Sequence, residues 1–239
     1  MSAPDPAPEP RPLEAWNDAA DAWAAAVRSG ADPARKITER AIVDLVRQVP
    51  TGPVLDAGCG EGWLARELAA HRHEVAAVDG APRMIELAQA AGGGKIEYAH
   101  VSFAEAAEQP RRLLGAFGTI VFNFSLLDQR ITPILSAAGA VLFPYGRILI
   151  QAAHPAAMLG DAAGYRDGWR TIEEVAPGVK PMRRIPWYFR TFTTWVLELR
   201  RAGLLLVETY EPLDPTTGRP ASLVLHVTIP EKRHPARAS

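Results

Sequence analysis

The sequence predicts an α/β fold: a doubly wound, mainly parallel sheet with helices on both faces. Three observations predict it. From residue 53 onward, short β-rich runs alternate with stretches of helical period. The run from Thr119 to Phe124 is apolar enough to be a strand buried on both faces. At 239 residues and 48% hydrophobic content, the chain is long and apolar enough to cover both faces of such a sheet.

The elements follow in order. Trp16, Ala19, Ala20, Trp23 and Val27 recur at helical spacing between Leu13 and Arg28. Asp32-Pro33 breaks the chain and opens a second helix, whose apolar stripe is Ile42, Leu45, Val46 and Val49 and whose stop is Pro50-Thr51-Gly52. Pro53 to Asp56 is a first core strand, and Glu61 to Ala70 a helix turning Leu64 and Leu68 inward. Glu74 to Val78 is a second strand, ending at Asp79. Pro82 to Ala91 is a helix with proline at its start, where the missing N–H does no harm, and Gly92-Gly93-Gly94 ends it. Ile96 to Val101 is a third strand and Thr119 to Phe124 a fourth. Ile131, Ile134, Leu135, Ala138 and Leu142 mark a helix, and Arg147 to Gln151 a fifth strand. His154 to Tyr188 has no clear period and reads as a loop or small lid. Phe192, Trp195, Val196 and Leu199 restart a helix, followed by strands at Leu204–Thr209 and Leu223–Ile229. The expected organisation is a disordered tail at 1–12 and one domain at 13–232, with a helical cap at 13–50 and a substrate-side lid at 154–190.

Composition excludes several classes. A formal net charge of −1 gives no basic field for nucleic acid or an anionic membrane. One cysteine, Cys59, leaves no internal disulfide and no cysteine-based zinc cluster, which suits a cytoplasmic protein. The histidines show no metal-ligand spacing, so no metal site is expected. No apolar run reaches the roughly 18 residues of a spanning helix, and the first residues lack the basic start and apolar run of a signal peptide.

The most informative stretch is Val54-Leu55-Asp56-Ala57-Gly58-Cys59-Gly60-Glu61-Gly62, which ends a strand and opens a helix. Glycines here let the backbone turn tightly and a ligand lie close to it. The dinucleotide fingerprint requires a third glycine where Trp63 stands, and no GK[ST] follows, so neither that motif nor a P-loop is present. Asp56 sits poorly beside a pyrophosphate and suits a cationic ligand group, an amino group or a sulfonium. Asp79 ends the second strand, where a carboxylate can take both hydroxyls of a ribose. Ser102-Phe103 follows the third strand and Asn123-Phe124-Ser125 ends the fourth. Parallel, adjacent strands bring all four features to one crevice.

On these residues the chain, from about Trp16 to Ile229, resembles the class I S-adenosylmethionine-dependent methyltransferases. The resemblance implies a Rossmann-like, seven-stranded sheet whose last strand is antiparallel, with the two C-terminal strands supplying the reversed hairpin. It implies that Gly58, Cys59 and Gly60, with Asp56 beside them, meet the methionine part of S-adenosyl-L-methionine. Asp79 and Gly80 fall at the ribose, and Met84, Ser102 and Phe103 at the adenine. Asn123, Phe124 and Ser125 fall beside the methionine moiety and the methyl group. The chain departs from the family at His73, where a glycine is common, and at Ser102, where many relatives carry an aspartate.

More narrowly, Asp32-Pro33-Ala34-Arg35, His154-Pro155, Tyr165 to Arg170, Pro186 to Thr191, Glu211-Pro212 and Pro220 to Leu223 resemble an uncharacterised bacterial subgroup of small-molecule methyltransferases. There Arg35 is a partner for the cofactor carboxylate.

The expected reaction is in-line methyl transfer to an O, N or C nucleophile of a small molecule, by a monomer or homodimer that binds neither nucleic acid nor membrane. His154, just after the fifth strand, and Tyr188 are the candidates for a catalytic base, worth about 10²–10⁴-fold where one is used. His154 is also readable as a substrate hydrogen-bond partner, or as a residue that merely caps a loop through Pro155. Trp16 and Trp23 are readable as core or as a lid over the cofactor. Arg166, Arg170, Arg183, Arg184 and Arg190, with Trp169, Trp187 and Tyr188, form either a solvated surface or a pocket for an anionic or aromatic substrate. A bare binding or interaction module and a nicotinamide-dependent oxidoreductase are the alternatives, the second opposed by Trp63.

Overall fold

The computed structural model describes residues 11–30, 32–48, 52–158, 164–174 and 184–230. Helices α1 (Pro12–Ser29) and α2 (Pro33–Arg47) precede the sheet. Then come β1 (Pro53–Ala57), α3 (Trp63–Ala70), β2 (Glu74–Asp79), α4 (Pro82–Ala90), β3 (Ile96–His100), α5 (Phe103–Glu108), β4 (Phe117–Asn123), α6 (Thr132–Ala140) and β5 (Leu142–Ala152). The chain continues through β6 (Gly168–Ile172), β7 (Ile185–Phe189), α7 (Phe192–Arg201), β8 (Leu205–Tyr210) and β9 (Leu223–Thr228). Seven strands form one sheet in the order β3-β2-β1-β4-β5-β9-β8, and β6 and β7 pair separately. Strands β1 to β5 run parallel, and β9 enters antiparallel between β5 and β8.

Alternation along each strand divides the core in two. Leu55, Ile120, Phe122, Ile148, Ile150 and Leu225 face the side covered by α5, α6 and α7. Val54, Val75, Ala77, Val121, Leu149 and Val224 face the side covered by α2, α3 and α4. The period of two is the pleat itself, and burial of both sets explains why the strands read as continuous apolar runs. Helix α1 lies outside these layers. It packs through Ala15, Ala19 and Ala26 on Ile185 of β7, and through Ala20 on Ala81 and Met84 at the start of α4.

Several boundaries differ from expectation. Helix α1 starts at Pro12, a residue assigned above to a tail. The helix expected from Glu61 begins at Trp63, because Gly62 takes a left-handed φ of 82° and stops the helix from starting sooner. Leu142 belongs to β5 and not to the preceding helix. Two elements escaped the periodicity: α5 and a 3-10 turn at Pro110–Leu113. The segment expected to be an irregular lid contains another 3-10 turn at Pro155–Met158 and the β6–β7 hairpin, with Trp169 opposite Tyr188 and Arg170 opposite Trp187. The expected tail at residues 1–10, the stop at Pro50-Thr51, Arg183 and the expected frayed end at 233–239 lie outside the described residues. No helix among the described residues is long and apolar enough to cross a membrane.

Leu135 on α6 is fully buried in the larger half of the core. Leu135→Ala is expected to destabilise the chain by about 2–5 kcal/mol, lost transfer energy plus the cavity left behind. The check is a lower urea midpoint at unchanged slope; a loss below about 1 kcal/mol would mean that α6 is not packed as described.

Candidate functional site

The strand order reverses its direction of growth at β1: β2 and β3 lie to one side, β4 and β5 to the other. Loops leaving β1 and β4 therefore separate, and a crevice opens at their carboxyl ends, the usual ligand position in open α/β sheets. A cavity of about 1250 Å3 occupies that crevice and continues beneath the β6–β7 hairpin.

The loop after β1 is fixed by backbone bonds. The N–H groups of Gly58 and Cys59 both donate to the Val78 carbonyl, at 2.7 and 3.0 Å. Gly58 has a φ of 77°, and a Cβ there would lie 2.3 Å from that of Ser125, whose hydroxyl donates to the Ala57 carbonyl at 2.7 Å. Only glycine lets the β1 and β4 loops come this close. Asp79 ties the loop to the next strand: its Oδ2 accepts from the Gly60 N–H at 2.9 Å and its Oδ1 from the Ala81 N–H at 2.8 Å. Burial pushes the Asp79 carboxyl up, and the two N–H groups oppose that rise.

Six polar atoms of residues lining the cavity are buried without a partner among the described residues: Trp16 Nε1, Arg35 Nη1, Asp56 Oδ2, Asn123 Oδ1, Gln151 Oε1 and Arg190 Nε. Arg35 spends its other nitrogens on Glu39, with Nε at 2.7 Å and Nη2 at 2.6 Å from one carboxylate oxygen. Its guanidinium lies 4.8 Å from the centre of the Trp23 ring and 5.8 Å from that of Trp63. Asp56 is 1% exposed, and burial pushes its carboxyl up to about 7; the charge of Asp79 adds to the shift and the Ala65 N–H opposes it. Phe124 holds a φ of 52°, a strained value for a non-glycine residue, with its N–H donating to the Gln151 carbonyl at 2.8 Å.

All thirteen residues expected at a cofactor line this cavity, and so does Tyr188. Their surroundings refine what each can do. Cys59 is buried and its thiol is pushed well up by burial, so it packs and is no nucleophile. Ser102 N–H and hydroxyl both donate to Glu105 at 2.8 Å, and the Glu105 N–H returns to the hydroxyl at 3.2 Å. This capping box opens α5, so the Ser102 hydroxyl is already spent. Trp16 and Trp23 also line the cavity and meet edge to face at 5.3 Å, so they are core and wall at once.

His154 does not line this cavity. It stands behind it with Nε2 2.7 Å from Glu211 and Nδ1 accepting from the Ala156 N–H at 3.0 Å, beside a separate cavity of about 250 Å3. With both ring nitrogens engaged, its place is that of a pin between the end of β5 and the connection after β8. Of the arginines expected around the lid, Arg190 alone among the described ones lines the main cavity. It is 2% exposed and donates to the carbonyls of Leu126, Tyr188 and Asp128, and burial brings it down to about 10. Arg170 donates to the Trp169, Gly164 and Arg166 carbonyls, and Arg184 pairs with Glu173 at 3.3 Å. These guanidiniums brace the hairpin. No group of three or more metal-ligating side chains occurs among the described residues.

Residues 54–146 match the family model described as a methyltransferase domain. Among solved structures, the CcbJ methyltransferase from Streptomyces caelestis is 19% identical, with a TM-score of 0.65 over 90% of this chain and 98% of its own. The 1,6-didemethyltoxoflavin-N1-methyltransferase of Burkholderia thailandensis, solved with its namesake compound and S-adenosylhomocysteine, is 21% identical, with a TM-score of 0.58 over 94% and 93%. The glycopeptide N-methyltransferase MtfA, solved with sinefungin, is 18% identical, with a TM-score of 0.63 over 84% and 87%. At these identities the likeness is one of fold. A search of curated proteins returned no match.

The raised Asp56 carboxyl makes the stability of the ligand-free chain depend on pH. Below about pH 4 the folded and unfolded forms are both protonated. Between there and neutrality the unfolded chain ionises first, so stability falls as pH rises to about 7 and is level above it. Asp56→Asn is therefore expected to gain on the parent from pH 5 to pH 8, by on the order of 1.4 kcal/mol for each pH unit between 5 and about 7. Urea unfolding at both pH values measures the gap, and an equal gap at the two would contradict the assignment. Gly58→Ala is expected to fold less stably and to lose affinity for S-adenosylhomocysteine at least about ten-fold, since φ and space both forbid the methyl group. Calorimetric titration measures that affinity, and an unchanged value would contradict the close approach of the two loops.

Proposed function

We propose that this chain is a class I S-adenosylmethionine-dependent methyltransferase and that it methylates a small molecule held beneath the β6–β7 hairpin; the matched methyltransferase domain and the fold support this reading. One observation carries the reading. Orphaned Asp56 Oδ2, Asn123 Oδ1 and Arg35 Nη1 share a single crevice with the anchored carboxylate of Asp79. That donor and acceptor set matches an amino acid joined to a nucleoside: a cation for the carboxylate, carboxylates for the amino group and ribose hydroxyls, and a glycine cradle for the backbone-hugging part. The residues present thus fit the cofactor, which supplies an electrophilic methyl group when bound.

In this reading Arg35 holds the cofactor carboxylate, and Asp56 with the Gly58–Gly60 loop holds its amino end. Asp79 and Gly80 take the ribose, and Met84, Phe103 and the Ser102 backbone flank the adenine. Asn123, Phe124 and Ser125 border the reacting methyl. The chain's own work is to align the acceptor and exclude water, for which the closed aromatic wall of Trp169, Trp187 and Tyr188 is suited. Tyr188 stands in the cavity as an acceptor contact; His154 supports the wall from behind. The net charge of −1 and the relatives crystallised with a small heterocycle or named for a glycopeptide support a small acceptor and not a nucleic acid. A single, buried cysteine suits work in the cytoplasm.

Calorimetry with S-adenosylhomocysteine tests the reading directly, and turnover of S-adenosylmethionine with an acceptor panel separates an enzyme from a binding module. Asp79→Ala is expected to weaken S-adenosylhomocysteine binding by about 1–3 kcal/mol, the worth of hydrogen bonds to a buried charged group. Unchanged affinity in a folded variant would remove Asp79 from the ribose.

A further inference from the structure

Gln151 ends the parallel part of β5 and pairs in register with Asn123 of β4, so the two side chains share one face of the sheet. It is 1% exposed and lines the main cavity, yet no sequence motif marks it. Its Nε2 donates to the Thr38 carbonyl at 3.1 Å and meets the Ser222 hydroxyl at 2.9 Å. A carbonyl only accepts, so the amide cannot be flipped without setting oxygen against oxygen. Its Oε1 is thereby fixed as the free end, and it is buried without a partner among the described residues. An unpaired buried acceptor costs about 1–3 kcal/mol, which a ligand donor would recover.

The position of this oxygen says which ligand. Going across the sheet, Asp79 ends β2, the glycine loop leaves β1 and Asn123 ends β4. Gln151 lies one strand further from Asp79 and lines the same cavity as Trp169, Trp187 and Tyr188 of the hairpin, on the acceptor's side of the site. This rests on the function proposed above. A side-chain amide oxygen accepts a hydrogen bond but does not take a proton at neutral pH. A nucleophile held by it keeps its proton through the reaction. A neutral hydroxyl that keeps its proton is a poor nucleophile, whereas a neutral amine carries both an N–H to donate and a lone pair to react. Positive charge then grows on the nitrogen, and the amide dipole and the faces of Trp169, Trp187 and Tyr188 favour that charge.

We propose that Gln151 Oε1 selects the acceptor: a planar, weakly basic amine, uncharged near pH 7, whose N–H it receives. The nitrogen lone pair forms the new N–C bond, the C–S bonding pair stays on sulfur, and the resulting ammonium releases its extra proton to solvent.

The test uses 3-aminoquinoline, its isostere 3-methylquinoline, which lacks the N–H, and 3-hydroxyquinoline, with the full chain saturated in S-adenosylhomocysteine. Saturation is confirmed first, and its failure would count against the proposed function and not against Gln151. The amine is expected to bind at least about ten-fold tighter than the methyl compound, and to be methylated at least about ten-fold faster than the hydroxy compound when S-adenosylmethionine replaces the product. In Gln151→Met the binding preference is expected to shrink to within about three-fold while S-adenosylhomocysteine affinity holds within about two-fold. Equal or tighter binding of the methyl compound, equal or faster methylation of the hydroxy compound, binding of none of the three, or a variant that keeps the preference would each overturn the proposal. If Gln151→Met does not fold, the three compounds on the parent chain decide alone.

Discussion

The crevice depends on one half-buried carboxylate. Asp79 joins the turn after β1 to the turn after β2 by accepting from Gly60 and Ala81, which fixes the glycine loop before any ligand arrives. The same partial burial that pushes the Asp79 carboxyl up strengthens each hydrogen bond it makes. The loop can then present Gly58 against Ser125, and the ends of β1 and β4 come close enough to form one floor. Placing an ionisable group there is costly, and a second carboxylate, Asp56, raises the cost. A ligand carrying a cationic amino group relieves it. The site is held open at the expense of the empty chain and is settled by what binds.

Much of this was legible because its causes are local. Strands buried on both faces leave continuous apolar runs, and the stretch from Val54 to Gly62 needs glycines wherever φ is positive or backbones touch, at Gly58, Gly60 and Gly62. Helix α5 was also legible in principle. Ser102-Phe103-Ala104-Glu105 is a capping-box pattern, but six residues carry too little period to register as a helix.

What stayed hidden depends on long-range contacts. The β6–β7 strands turn side chains both to the cavity and to α1, so neither face is plainly wet or dry and no alternation appears. His154 has the sequence position of a catalytic residue, yet Glu211, 57 residues away, draws its ring out of the cavity. Gln151 gave no signal because its meaning comes from Thr38 and Ser222, which orient one amide from opposite ends of the chain.

Helix α1 carries one last implication. Trp16 and Trp23 belong to both of its packing clusters, one reaching Ile185 of the hairpin and the other reaching Met84 at the start of α4. The two walls of the cavity therefore share a beam. Recasting the hairpin to admit a bulkier compound will disturb the wall at α4 without touching it, and effects of changes on the two walls will not sum. Retargeting such a scaffold means redesigning both walls together.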